Sequence, residues 1–406
     1  MILASGTAKA FRFFQGNALQ AAGTYGLFLA LAHTSKSPEV FGQFVVLVSL
    51  AGIFPVIIDA LSSQQLVRML SNKPDSKSNE MNTYLRARLI LVGAGSVIAL
   101  PVAIFALGKV EEIFSFSAMY LAASLSVVAT TNLTFANEPK LFSRAQLIVF
   151  VFTALLALAI FFLSSNLDVT NLFYAWGLVK SVAALIFIGF IAKSGGIHPQ
   201  ARVQNLLSHI LGKEGKKHFL SLGATHFLNA TTAQVDTFIA ASIGLAGAAK
   251  YQAAQRPVLA LSVLNVSISQ SEYAESIRPT EPQNRRHRYL PILAFLVWPL
   301  LALAFGGAIF IVTPLNLRVS FEVFAILGLA NGFGLLASVS GPKLLVNNQT
   351  KGLLTSAAGQ LAVLVATGLF LANTLGVLGV SIALALAKGS SAAIQAIWLR
   401  FYSAKP

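Results

Sequence analysis

Apolar residues run through this chain in long stretches, separated by short polar breaks. A hydrocarbon core of about 30 Å is crossed by roughly 20 mostly apolar helical residues. Twelve stretches meet that length: 10–32, 41–61, 88–108, 115–136, 145–164, 170–192, 219–244, 249–271, 290–313, 320–341, 353–374 and 376–398. Runs such as Leu89–Gly108 and Leu147–Leu163 are continuously apolar. That pattern predicts helices, because a transmembrane strand would alternate over about ten residues. Pro55, Pro101, Pro257 and Pro299 fall inside spans, where neighbouring helices can re-satisfy the freed backbone groups. The expected fold is an all-α polytopic membrane protein of about twelve transmembrane helices.

Composition agrees with this pattern. The 406 residues are 56% hydrophobic and only 11% charged, against about 25% charged in a typical soluble protein. A soluble chain of this kind would expose large apolar patches, so an ordinary soluble enzyme and a disordered tail are both excluded. The net charge of +15 does not indicate a nucleic-acid partner, because the spans leave little room for a soluble basic domain. The chain has no cysteine, which excludes disulfides, thiolate metal sites and a cysteine nucleophile.

The basic residues predict the orientation. Starting inside places the N-terminus, 62–87, 137–144, 193–218, 272–289, 342–352 and the tail on the cytoplasmic side. With the flanking Arg12 and Arg88, these segments hold 22 of the 29 basic residues. The opposite segments hold four: Lys36, Lys109, Lys250 and Arg318. This asymmetry follows the positive-inside rule and predicts cytoplasmic N- and C-termini. Ala30-Leu31-Ala32 superficially fits a signal-cleavage site, but a cut there would remove a span.

The central polar loop divides the spans six and six. The expected domains are an N-terminal lobe over 1–192, a cytoplasmic linker over 193–218 and a C-terminal lobe over 219–406. In the linker, Val203, Leu206, Leu207, Ile210 and Leu211 fall at helical spacing, flanked by Arg202, Lys213, Lys216 and Lys217. They predict either an amphipathic helix on anionic inner-leaflet lipids or a soluble linker helix. Gly42-Gln43 and Tyr251-Gln252, at the heads of the second and eighth spans, form a weak internal echo. An even number of spans per half relates the lobes by a pseudo-two-fold axis along the membrane normal, with a cavity between them.

Charged groups inside spans are functional candidates by default, because burying them is costly. Asp236 in span 7 and Arg256 in span 8 lie at matching depth on consecutive antiparallel helices. They can form an ion pair, either as a structural lock or as a coupling element. Lys180 and Lys388 lie near the middle of spans 6 and 12, too deep to snorkel. With Arg256 they can form a cationic cavity for an anionic group. Alternatively, each lysine caps backbone carbonyls or a helix break. Asp59 sits near the inner end of span 2, where a structural role such as pairing with Arg68 is the stronger reading. Ser117, Ser124, Ser126, Thr130, Thr131, Asn132 and Thr134 give span 4 a polar face that either lines a cavity or joins helices.

Enzymatic constellations are missing from the sequence. The histidines His33, His198, His209, His218, His226 and His287 form no HxxxH or HExxH pattern. Gly212-Lys213-Glu214-Gly215-Lys216-Lys217 fails the spacing of a phosphate-binding loop, and no Gly-x-Ser-x-Gly elbow is evident. No catalytic residue, metal or cofactor is expected. The short outside loops also argue against a membrane glycosyltransferase or polymerase.

Phe41-Gly42-Gln43-Phe44, the apolar run to Asp59, and Gln65-Leu66-Val67-Arg68 resemble the opening of the Wzx-type polysaccharide and O-antigen flippases. These belong to the multidrug/oligosaccharidyl-lipid/polysaccharide exporter (MOP) superfamily. Gln234-Val235-Asp236-Thr237-Phe238-Ile239 and the stretch from Gly247 through Tyr251 to Arg256 resemble that family's seventh and eighth helices. Lys250 and Ala249 depart from its usual turn residues. The resemblance implies alternating-access flipping of a polyprenyl-pyrophosphate-linked oligosaccharide to the outer leaflet of a bacterial inner membrane. It also implies polysaccharide polymerase and glycosyltransferase partners. The alternative in the same superfamily is a cation-coupled multidrug exporter, although span 1 lacks the carboxylate many of those use. A scaffold for polysaccharide assembly would leave the mid-depth lysines without a role.

Overall fold

The computed structural model describes residues 2–60, 92–93, 95–97, 100–101, 104, 110–135, 139–193, 213–263, 265–266, 293–347 and 349–402. Eleven α-helices are found among them. In the first half these are α1 (Ile2–Thr34), α2 (Pro38–Ala60), α3 (Val110–Phe135), α4 (Pro139–Leu163) and α5 (Val169–Lys193). In the second half they are α6 (Lys213–Ser242), α7 (Leu245–Leu261), α8 (Trp298–Val312), α9 (Phe321–Val346), α10 (Thr350–Leu375) and α11 (Val377–Tyr402). Six of the described helices are long and apolar enough to cross a membrane. The third expected span, 88–108, is represented by scattered described residues, all helical. Residues 194–212 of the expected linker lie outside the described set, and from Lys213 the chain is already α6.

Local chemistry explains the helix boundaries. Ser37 Oγ accepts from the Val40 N–H at 3.3 Å at the start of α2. Asp168 Oδ1 accepts from the Asn171 N–H at 2.9 Å at the start of α5. Both bonds satisfy helix-end donors that otherwise lack partners. Pro299 has no N–H and its ring crowds the preceding turn. The chain absorbs this with a π-helical turn, Leu293–Val297, directly before α8. Between α10 and α11 the chain reverses at Gly376 with φ of 61°, a conformation that a side chain disfavours.

Among the described residues, five short connections, 35–37, 164–168, 243–244, 313–320 and 376, fall at one end as the helices alternate in direction. Two of them are fastened together: Ser35 and Leu167 form a β-bridge. There the Leu167 N–H donates to the Thr34 carbonyl at 2.8 Å, and the Lys36 N–H donates to the Leu167 carbonyl at 3.2 Å. In the first lobe α1 packs on α4, and α3 packs on α5 and α2. In the second lobe α11 packs on α9 and α10, while α6 packs on α10. The seam between the lobes is made by α1 and α2 on one side and by α6 and α7 on the other.

Candidate functional site

Polar side chains concentrate where α6 and α7 meet this seam. Gly244, with φ of 109°, turns the chain so that α6 and α7 run antiparallel. Asp236 stands six residues before the end of α6, and Tyr251 six residues after the start of α7. At 1.5 Å per residue both lie about 9 Å below the short-loop end. Asp236 is 1% exposed. Its Oδ2 accepts from Tyr251 Oη at 2.9 Å and from the Gln255 amide. Its Oδ1 accepts from the Thr237 backbone N–H at 2.7 Å and from the Thr237 hydroxyl at 3.3 Å. A buried carboxylate requires such donors.

The network continues outward to Arg256. The Gln252 amide donates to Thr237 Oγ1 and to Gln255 Oε1, the latter at 2.8 Å. Arg256 Nε then donates to Gln252 Oε1 at 2.8 Å. Asp236 and Arg256 attract each other, but their connection by hydrogen bonds runs through Gln252 and Gln255. No direct Asp236–Arg256 ion pair is found among the described residues. The two groups differ in depth by several residues, and the two amides fill that gap. Arg256 Cζ lies 5.5 Å from the Phe28 ring centroid, across the seam on α1.

Lys388 is held by Asn331. Its Nζ donates to Asn331 Oδ1 at 3.3 Å. The same Asn331 side chain donates to the Val258 carbonyl at 3.1 Å, and the Asn331 carbonyl accepts from the Asn265 amide at 2.9 Å. The Val258 carbonyl is available because α7 breaks, the Ser262 N–H turning to the Leu259 carbonyl. Lys388 therefore reaches a helix break through an asparagine, and Asp236 attracts it.

Lys180 belongs to the first lobe. Its Nζ lies 5.2 Å from the Trp176 ring centroid, one turn earlier on α5. It also lines a chamber of about 20 Å³ with Gln20, Thr24, Ser126, Gln146 and Thr153, room for about one water. Gln146 donates to Gln20 Oε1 at 2.8 Å, while Gln146 Oε1 and Trp176 Nε1 are buried without a hydrogen-bond partner. Lys180 and Arg256 are close enough for their charges to act on each other. The three cations also share a depth. Each stands eleven residues inside the helix that starts at the short-loop end: Lys180 in α5, Arg256 in α7 and Lys388 in α11. That places all three about 16 Å down, near mid-membrane.

The remaining sequence candidates separate. In the span 4 region, Ser117 bonds the Ile113 carbonyl of its own helix at 2.9 Å, and Ser126 lines the chamber. The side chains of Thr130, Thr131, Asn132, Thr134 and Asp59, and all of Arg68, lie outside the description. Sequence reasoning did not single out Gln255, Asn331, Gln146 or Phe28. Asn331 and Gln146 were legible as lone amides within or beside apolar runs. Among the described residues no three His, Asp or Glu side chains come together as a metal site would require.

No protein-family model and no curated protein matches the chain. Solved structures match along nearly its whole length. A MATE in complex with MaL6 superposes with a TM-score of 0.69 at 15% identity, over 98% of this chain and 96% of that one. An outward-facing multidrug resistance MATE family transporter of the MOP superfamily gives 0.65 at 16% identity, again over 98% and 96%. A MOP superfamily transporter from Pyrococcus furiosus, described as having a binding pocket of reverse polarity that suggests a different function, gives 0.64 at 15% identity over 98% and 96%. At these identities the likeness is one of fold: this chain has the twelve-helix, two-lobe fold of the MATE transporters, a multi-pass membrane architecture.

Proposed function

We propose that the protein flips an anionic amphiphile, an oligosaccharide on a polyprenyl diphosphate, from the inner to the outer leaflet by alternating access of its lobes. The observation that carries this reading is the belt of three cations at one depth, Lys180, Arg256 and Lys388. Asp236, the carboxylate facing them, is already occupied by hydrogen-bond donors. Trp176 Nε1 adds a buried donor without an acceptor. A diphosphate brings about two negative charges, which guanidinium and ammonium groups bind through charge-assisted hydrogen bonds.

In this reading the short-loop end faces outward and both termini face the cytoplasm of a bacterial inner membrane. Anionic inner-leaflet lipids hold the basic loops, and polysaccharide polymerase and glycosyltransferases are the working partners. The test is flipping of a fluorescent polyprenyl-diphosphate oligosaccharide in proteoliposomes. Lys180→Ala and Arg256→Ala should each lower the rate at least tenfold with unchanged protein yield. Parental rates in both variants overturn the reading.

A second reading, a cation-coupled multidrug exporter, draws on the fold. Among the structurally similar proteins is one described as a multidrug resistance transporter, and Asp236 is a buried carboxylate that a coupling ion could use. It predicts efflux of cationic drugs that is lost in Asp236→Asn and kept in Lys180→Ala. The cationic belt weighs against it, because cationic cargo would be repelled at mid-membrane.

A further inference from the structure

We infer that a ladder of aromatic rings joins two of the cations across the seam and makes closure of the short-loop end responsive to an anion bound there. Arg256 faces Phe28 at 5.5 Å. Phe28 meets Phe41 edge-on at 4.9 Å and 66°. Phe41 meets Phe44 at 5.8 Å, and Phe44 meets Trp176 edge-on at 6.0 Å and 75°. Trp176 then faces Lys180 at 5.2 Å. All four rings are buried, at 0–3% exposure. The ladder thus runs from a cation of the second lobe, through α1 and α2, to a cation of the first.

Its middle rungs, Phe41 and Phe44, flank Gly42 in the Phe-Gly-Gln-Phe motif. Gly42 marks where the lobes close. A Cβ built on it would lie 1.9 Å from the Leu245 carbonyl oxygen and 3.1 Å from Leu245 Cα, at the start of α7. Both obstacles are backbone and cannot rotate away. The contact therefore exists only while residue 42 has no side chain. Deeper on the same helix, Gly52 packs against the Gln234 side chain, which a built Cβ would meet at 3.1 Å. Gln234 lies eight residues from the end of α6, about 12 Å below the short-loop end.

The coupling follows from electrostatics. A cation holds an aromatic face through the ring quadrupole. An anion paired with Arg256 and Lys180 neutralises the charge those rings feel. The hold on Phe28 and Trp176 weakens, and with it the packing that keeps Gly42 on Leu245. Substrate binding at the cations thereby loosens closure at the end where the substrate leaves. This step rests on the anionic-substrate reading above.

The chain has no cysteine of its own, so Gln234→Cys gives a single reporter. In right-side-out vesicles, an impermeant maleimide outside should label it slowly. Inorganic pyrophosphate loaded inside should speed labelling about threefold, the scale of one cation–π contact. Phe28→Leu should label fast without pyrophosphate and gain nothing from it, whereas Phe28→Tyr, which keeps the ring, should behave as the parent. Gly42→Ala should label fast with or without the anion. Gly26→Ala, whose methyl meets nothing within 4 Å, should behave as the parent.

Should Gly42→Ala fail to accumulate, the pair Gly52→Cys and Gln234→Cys replaces it. With an added thiol oxidant, the pair should form a disulfide across the seam, more slowly with pyrophosphate present. Pyrophosphate that binds the parent yet changes neither labelling nor cross-linking overturns the ladder and leaves the diphosphate reading intact. Slow labelling of Phe28→Leu also overturns the ladder. Absence of any pyrophosphate binding overturns both.

Discussion

The two lobes carry buried charge in opposite ways. In the second, Asp236 is enclosed by Tyr251, Gln255 and Thr237, and the bonds run on through Gln252 to Arg256. In the first, Lys180 has an aromatic face on one side and a chamber on the other, and the nearby Gln146 keeps an unused oxygen. A saturated network fixes its members, because moving any one leaves several groups unpaired in a medium of low dielectric. A cation beside a small polar chamber has no such constraint. The second lobe is therefore the rigid reference, and in the proposed function the first holds the cation left to meet the ligand.

The sharpest way to break this contrast is Asp236→Leu. It takes the acceptor from the Tyr251 hydroxyl and one acceptor from the Gln255 amide, and removes the charge that attracts Arg256 and Lys388. The expected loss is about 3–5 kcal/mol, read as a large drop in unfolding temperature in detergent. A loss under about 1 kcal/mol would show that the second lobe is not fixed by its network. Next is Asn331→Ala, which takes a donor from the Val258 carbonyl and an acceptor from Lys388. It should cost about 2 kcal/mol and increase hydrogen exchange around the α7 break. The smallest effect is expected in the first lobe. Gln146→Leu removes one bond to Gln20 and should cost about 1 kcal/mol or less. A cost as large as that of Asp236→Leu would mean the first lobe is as tightly bound as the second.

The positions of the helices were legible from hydropathy, but their lengths were less so. The observed helices overrun the apolar stretches mostly at the end opposite the short loops. Span 145–164 becomes Pro139–Leu163, span 219–244 becomes Lys213–Ser242 and span 320–341 becomes Phe321–Val346. Hydropathy marks only the part that fits hydrocarbon, whereas backbone hydrogen bonding continues through polar residues beyond it. Span 249–271 differs in another way: α7 ends at Leu261, the chain turns at Ser262, and Val263, Asn265 and Val266 are again helical. The amide that caps this break, Asn331, comes from a helix about seventy residues on, so no local pattern could reveal it.

Single charges in apolar runs made Asp236, Arg256, Lys180 and Lys388 visible. Their equal spacing from the short-loop end emerged only once helix starts were defined. The partners that organise them are glutamines and phenylalanines, which look like ordinary span residues one at a time. Phe41 and Phe44 stand in the motif that resembles the flippase opening, but nothing in that motif shows that its glycine touches the other lobe.

The bridge between Ser35 and Leu167 has a mechanical consequence. It fastens the α1–α2 connection to the α4–α5 connection, so spreading these helices at the rim must first break two backbone hydrogen bonds. A movement that keeps the bridge carries these helices together, sweeping a broad face through the surrounding lipid. The drag on such a motion comes from the bilayer. Under the proposed function, turnover should therefore slow as membrane viscosity rises, even with the three cations unchanged.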